Sequence, residues 1–156
     1  MNLENLIKNK KAKVAVIGLG YVGLPTAVEL AKVGFKVLGI DIKKERGGLV
    51  NKGKSYILDV PSKDLKEAVN SKKLSAFNTH QPLKNSDIVL ICVPTPLDKY
   101  KIPDVSYIIS TTEAITKHLH KGQLIILESS TYPGTTREII LPRLEKKGLK
   151  AGRDFF

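Results

Sequence analysis

The stretch Lys13–Pro25, KVAVIGLGYVGLP, decides the fold. Lys13 to Ile17 is a short apolar, β-branched run that reads as a buried strand, and Gly18, Gly20 and Gly23 follow it at G-x-G-x-x-G spacing. From Tyr21 onward the apolar period becomes helical, through Leu24, Ala27, Val28 and Ala31, until Gly34 offers a place to stop. Pro25 falls in the first turn, where a missing N–H costs little. Gly18 permits a tight bend, Gly20 lets backbone amides approach an anion with no Cβ in the way, and Gly23 lets the helix pack close to the strand. The helix N-terminus adds free N–H groups and a partial positive charge. A second strand, Lys36 to Ile40, ends in Asp41, where a dinucleotide-binding fold places the acid that hydrogen-bonds a ribose diol. Strand, glycines, helix, strand and acid in this order predict a pyrophosphate-binding turn. The Asp41 carboxylate favours a free 2′-hydroxyl over a 2′-phosphate and so points to NAD rather than NADP. Arg46 is close enough in sequence to lie beside the adenosine ribose or stack on adenine, and it leans slightly against that preference.

Working outward, Gly47 and Gly48 are expected to interrupt any helix after Asp41, and Asn51 to Pro61 reads as a loop. Ser62 to Lys72 reads as a helix with Ser62 as N-cap and Leu65, Ala68 and Val69 inward, followed by a short strand at Leu74 to Phe77. Ile88 to Val93 is an uninterrupted apolar run that suits a central parallel strand, with Cys92 as a small core residue inside it. Pro94, Thr95 and Pro96 then impose a stiff loop at the strand's carboxyl end, the end that faces the ligand crevice in an open α/β sheet. Val105 to Leu119 follows as a helix with Asp104 as N-cap and Ile108, Ile109, Thr112, Ala114 and Ile115 on its buried side. His118 and His120, two residues apart, do not face each other and make no metal pair.

Gln123 to Leu127 is the next buried strand, and its carboxyl end runs into the hydroxyl-rich loop Glu128 to Thr136. Those hydroxyls can bond a ribose, a nicotinamide amide or a water, or Thr135 or Thr136 can cap the helix expected over Arg137 to Lys147. Leu149 to Phe156 closes on two phenylalanines, a poor exposed terminus that suggests the start of a further strand. The sum is an α/β, Rossmann-type, doubly wound and mainly parallel sheet of about six strands in the order 3-2-1-4-5-6, with helices on both faces.

Composition narrows the function. The 156 residues suit one domain, residues 13–156, preceded by a short amphipathic helix in residues 1–12. No run is long enough to cross a bilayer, and the amino-terminal stretch lacks the apolar core of a secretory signal. A single cysteine and no Cys/His cluster argue against disulfides or a structural metal, so the cytoplasm is the expected compartment. The formal net charge of +11 comes from scattered lysines and arginines with few aromatic residues, which is no stacking platform for bases. Neither a nucleic-acid nor a membrane partner is expected; the charge serves solubility and at most some steering of an anionic substrate.

Three motifs together carry a resemblance: GLGYVGLP at Gly18 to Pro25, CVPTPLD at Cys92 to Asp98 and ESSTYPGTT at Glu128 to Thr136. In order and spacing they resemble the NAD-binding N-terminal domain of the UDP-glucose/GDP-mannose dehydrogenase family, in wording nearest to its UDP-N-acetyl-D-glucosamine 6-dehydrogenase branch in polysaccharide biosynthesis. The resemblance implies oxidation of a nucleotide sugar's C6 hydroxyl to a carboxylate with two NAD consumed. It implies that the amides around Gly20, Tyr21 and Val22 hold the pyrophosphate, Asp41 and Arg46 the adenosine ribose, Pro94 and Thr95 the cofactor's flank, and that Thr131 lies near the nicotinamide and the catalytic water. It also implies a homodimer built on a central helix, a second domain that grips the UDP-N-acetylhexosamine, and a catalytic cysteine with lysine and aspartate partners in those later parts. None of these later parts falls within the 156 residues, so this chain alone is expected to bind NAD without turnover. A stand-alone module that senses NAD or scaffolds a partner is the alternative.

Overall fold

A computed structural model describes residues 2–156; Met1, part of the expected amino-terminal helix, lies outside the described residues. The first helix, α1 (Leu3–Lys8), begins where the Asn2 side chain accepts the Asn5 N–H at 3.0 Å. Leu3 and Leu6 rest against the core. Five strands follow: β1 (Lys13–Ile17), β2 (Lys36–Ile40), β3 (Leu74–Phe77), β4 (Ile88–Ile91) and β5 (Leu124–Leu127). They form one parallel sheet in the order β3-β2-β1-β4-β5.

The alternation of side chains along β1 divides the core into two halves. Val14 and Val16 pack on one face with Leu24, Ala27 and Ala31 of α2 (Gly23–Lys32), Val50 of α3 (Lys44–Asn51) and Leu65 of α4 (Ser62–Asn70). Ala15 and Ile17 pack on the other with Ile108 and Ile115 of α5 (Ser106–His118) and Leu144 of α6 (Leu141–Glu145). Both faces of the sheet are thus covered, as parallel sheets require, and every residue of β4 is buried.

Several sequence expectations change. The helix after Asp41 is not broken: α3 runs straight through Gly47 and Gly48. Each glycine weakens a helix by about 1 kcal/mol. Val50 is fully buried, and the Asn51 amide pairs with the edge of β3, donating to the Ala76 carbonyl and accepting its N–H, both at 2.8 Å. That tertiary anchoring offsets the weak local preference. Ser62 is the first residue of α4 rather than its N-cap; Pro61 precedes it, and the Ser62 hydroxyl instead accepts the Ser55 N–H. Asp104 sits one place before the cap of α5, with its carboxylate accepting the Ser106 N–H at 2.9 Å, and Thr111 is buried where Ile109 was expected.

Neither Thr135 nor Thr136 caps the last helix through its side chain, and that helix opens as a π-turn, Thr136–Ile140, before α6. Pro142 explains this, because it has no N–H for the Glu138 carbonyl and its ring crowds that carbonyl, and the widened turn relieves both. β5 is half-buried rather than fully buried. Phe155 is buried at 2 % exposure and only Phe156, at 54 %, is open. The sheet has five strands among the described residues, with Phe156 extending the order by one residue. Its N–H donates to Gln123 and its carbonyl accepts the Ile125 N–H at 2.7 Å.

Ile91 lies at the centre of the sheet with no exposed surface. Ile91→Ala is expected to lower stability by about 2–5 kcal/mol through lost burial and a residual cavity. Urea denaturation should show a lower midpoint with an unchanged slope.

Candidate functional site

The carboxyl ends of β1, β2, β4 and β5 point the same way, and all the residues singled out in the sequence lie there. β1 is the switch point: the chain moves outward from it to β2 and β3 and then returns to β4 on its other side. Gly18 leaves β1 at φ +92°, and a Cβ there would lie 2.5 Å from the Cys92 carbonyl oxygen. Gly23 opens α2 so close to the same turn that a Cβ would lie 1.8 Å from the Gly18 carbonyl oxygen. Gly20 is different: a Cβ there would meet nothing within 4 Å, since its Cα faces open space. The N–H groups of Gly20, Tyr21, Val22 and Gly23 find no acceptor among the described residues. Tyr21 and Val22 themselves are exposed. A run of unpaired amides beside an unfilled approach and a helix N-terminus fits the pyrophosphate of a dinucleotide.

Asp41 stands at the end of β2 with only 5 % of its surface exposed. One carboxylate oxygen accepts the Leu19 N–H at 2.9 Å and an Arg46 guanidinium N–H at 3.3 Å; the other accepts the Lys43 N–H at 2.9 Å. The second oxygen keeps room for one more donor, as a ribose hydroxyl requires. Arg46 also lies over the ring of Tyr56, 5.7 Å from its centroid, and the Tyr56 hydroxyl donates to the Leu19 carbonyl at 2.7 Å.

The loops after β4 and β5 are tied together. Thr95 donates its hydroxyl to the Ser130 carbonyl at 2.6 Å, and the Ser129 hydroxyl lies 2.7 Å from the Val93 carbonyl that it donates to. Thr135 donates to the Tyr132 carbonyl at 2.8 Å, so the 2.9 Å contact between Thr131 and Thr135 has Thr131 as its donor. The Thr131 oxygen therefore offers outward only its acceptor lone pairs. Beyond it a largely apolar groove of about 720 Å³ runs along the edge of β5, between Ile125, Leu127, Ile140, Leu144 and Phe156.

Gly18, Gly20, Tyr21, Val22, Gly23, Asp41 and Arg46 thus converge at β1 and β2, while Pro94, Thr95 and Thr131 form a second wall after β4 and β5. The sequence reading missed Tyr56; it included Ser129 and Thr135 in the hydroxyl-rich loop but not the bonds from Ser129 to Val93 and from Thr135 to Tyr132. Tyr56 stood in a stretch taken only as a loop; an aromatic residue between Gly53 and Pro61 was the one available sign. Cys92 is buried behind the Gly18 turn, and burial, aided by the nearby Glu128 carboxylate, pushes its thiol up to about 12. Among the described residues no group of three His, Cys, Asp or Glu could hold a metal ion, and no helix is long and apolar enough to cross a membrane.

This fold and turn define a dinucleotide-binding domain of the doubly wound α/β class. The chain belongs to the UDP-glucose/GDP-mannose dehydrogenase family: the pattern of that family's NAD binding domain matches residues 12–155. Its cofactor is NAD. A UDP-N-acetyl-D-glucosamine 6-dehydrogenase of Pseudomonas aeruginosa is 44 % identical over 94 % of this chain and 34 % of its own length. A UDP-N-acetyl-D-mannosamine dehydrogenase of Pyrococcus horikoshii is 38 % identical over 92 % of this chain, again 34 % of its own. A crystal structure of a ternary complex of GDP-mannose dehydrogenase from Pseudomonas aeruginosa superposes with a TM-score of 0.87 at 31 % identity, covering 92 % of this chain and 34 % of that one. The chain therefore spans about a third of the length of these relatives.

The buried thiol gives a direct check of the turn. In the native protein Cys92 should stay unreactive toward a water-borne disulfide reagent near pH 8, and it should react fully once the chain is denatured. Fast labelling of the native state would mean that the Gly18–Cys92 packing opens in solution.

Proposed function

We propose that this chain is the NAD-binding part, residues 13–156 with a short helix ahead of it, of a nucleotide-sugar 6-dehydrogenase that forms homodimers. The substrate is a UDP-N-acetylhexosamine, and its C6 alcohol is oxidised to a carboxylate. The printed activities of the Pseudomonas and Pyrococcus relatives support that substrate class. The observation that carries the reading is the set of unpaired Gly20 to Gly23 amides at the same carboxyl end of the sheet as Thr131.

Each residue has a task in this reading. The four amides and the α2 N-terminus neutralise the pyrophosphate, and Gly20 leaves the space for its approach. Asp41 accepts from a ribose hydroxyl, and Arg46, bonded to that carboxylate, borders the adenosine. Pro94 and Thr95 fix the flank of the crevice through the bond to Ser130. Thr131, left as an acceptor, takes a hydrogen bond from the nicotinamide amide or from a water beside it. Bound NAD supplies the hydride acceptor, twice for one alcohol-to-acid conversion.

The second of those oxidations starts from an aldehyde and needs a nucleophile to form a tetrahedral adduct. Cys92, buried and held protonated, cannot fill that role. The isolated chain is therefore read as binding NAD without oxidising the sugar, with the nucleophile supplied from outside these residues.

Calorimetric titration is expected to show saturable NAD binding that NADP does not match and that changes little with salt. Gly20→Ala should weaken it by about tenfold without lowering the melting temperature, because the added Cβ enters the pyrophosphate's space and meets no protein atom within 4 Å. With a UDP-N-acetylhexosamine present the chain should form no NADH. Equal and salt-sensitive binding of both nucleotides would overturn the cofactor assignment, and NADH formation would overturn the inactivity.

A further inference from the structure

We propose that Tyr56 is a positioning residue that aims the pyrophosphate-binding amides and holds Arg46 onto Asp41, so that it sets both the affinity for NAD and the preference against a 2′-phosphate. The inference rests on the NAD-binding reading above. Its basis is a closed ring of contacts around Leu19, the residue between the first two glycines. The Leu19 side chain is fully buried against Gly39 of β2, where a Cβ would lie 3.0 Å from its methyl carbons. Its N–H goes to Asp41 at 2.9 Å, and its carbonyl accepts the Tyr56 hydroxyl at 2.7 Å. Asp41 in turn holds Arg46 at 3.3 Å, and Arg46 lies over the Tyr56 ring. The peptide is thus fixed from three sides by segments far apart in sequence.

The consequence for the cofactor follows from peptide geometry. In a planar trans peptide the carbonyl of one residue and the N–H of the next point in opposite directions. Drawing the Leu19 carbonyl toward the Tyr56 hydroxyl therefore turns the Gly20 N–H away from Tyr56, to where it finds no acceptor among the described residues. The first of the unpaired amides is aimed by Tyr56 before any ligand arrives. Tyr56 can do this across the working pH range, since burial and the Asp41 charge push its phenol up to about 12 and keep the proton that it donates.

The ring has a separate task. Arg46 is the cation nearest the ribose-binding acid, and a freely moving arginine there would be a ready partner for a 2′-phosphate. With its guanidinium bonded to Asp41 and lying over the half-buried Tyr56 ring, that charge is already engaged. A 2′-phosphate then meets a carboxylate whose paired arginine is already engaged. Tyr56 is itself held by its neighbours: the Ser55 hydroxyl donates to the Ile57 carbonyl at 3.0 Å, and the Ser55 N–H donates to Ser62 at the start of α4.

Two variants separate the hydroxyl from the ring, with dissociation constants for NAD and NADP read by calorimetry on the whole chain. Tyr56→Phe should weaken NAD about fivefold, the worth of one hydrogen bond, and keep the ratio between the two nucleotides. Tyr56→Leu should also weaken NAD and shrink that ratio by about three- to tenfold. Adding Arg46→Gln to Tyr56→Leu should restore the ratio, since the freed cation is gone. A purely structural tyrosine would lower the melting temperature of both variants and leave the ratio where it was, which overturns the proposal while the cofactor assignment stands. If Tyr56→Leu does not fold, unchanged NAD affinity in Tyr56→Phe overturns it as well. Failure of the unaltered chain to prefer NAD removes the cofactor assignment and this inference with it.

Discussion

The contact on which the structure depends is the one between Gly23 and the Gly18 carbonyl. With an ideal Cβ only 1.8 Å from that oxygen, α2 can begin where it does only because position 23 carries no side chain. The helix start leaves the amides of residues 20–23 unpaired and brings the Leu24, Ala27, Val28 and Ala31 face down on β1 and β2. Gly18 does the same for β4: its Cα lies so close to the Cys92 carbonyl that the first turn and the central strand are locked edge to edge. One backbone crossing without Cβ atoms thereby serves the packing of the sheet and the opening of the site.

Around that crossing the charges are arranged sparingly. The chain carries a net charge of +11, yet the site is built from backbone amides, one buried carboxylate and one arginine rather than from clustered lysines. Asp41 belongs to both the fold and the site, because it holds the Leu19 peptide and the start of α3 with bonds that leave one acceptor position unused. Changing this residue alters the turn and the proposed ribose contact together. The opposite wall works through hydroxyls: Thr95, Ser129, Thr131 and Thr135 link the two loops into one surface and decide which lone pairs face outward.

Much of this was legible from the residues. The strands β1 and β4 and the helix α2 were read from apolar period, and the glycines and Asp41 lie together at the carboxyl ends of β1 and β2. The expectation failed where a neighbour outweighed a local preference. Gly47 and Gly48 should stop a helix, but Val50 and the Asn51 bonds to Ala76 hold α3 through them. The helix of residues 137–147 has an ordinary apolar period, and its opening as a π-turn fits Pro142, which has no N–H for the Glu138 carbonyl.

The sequence by itself determined the order of the elements, the parallel doubly wound class, the glycine turn after β1 and the acid at the end of the second strand. Each of these is a short-range property, fixed by period, by the missing Cβ atoms and by residues that follow one another directly. Only the tertiary structure decided that Tyr56 reaches Leu19, that Thr95 reaches Ser130 and that Cys92 is sealed behind Gly18. Those contacts join residues dozens of positions apart through single hydrogen bonds or close packing. Such bonds leave no periodic trace in the chain, because the residues that make them are brought together by the sheet and not by their neighbours.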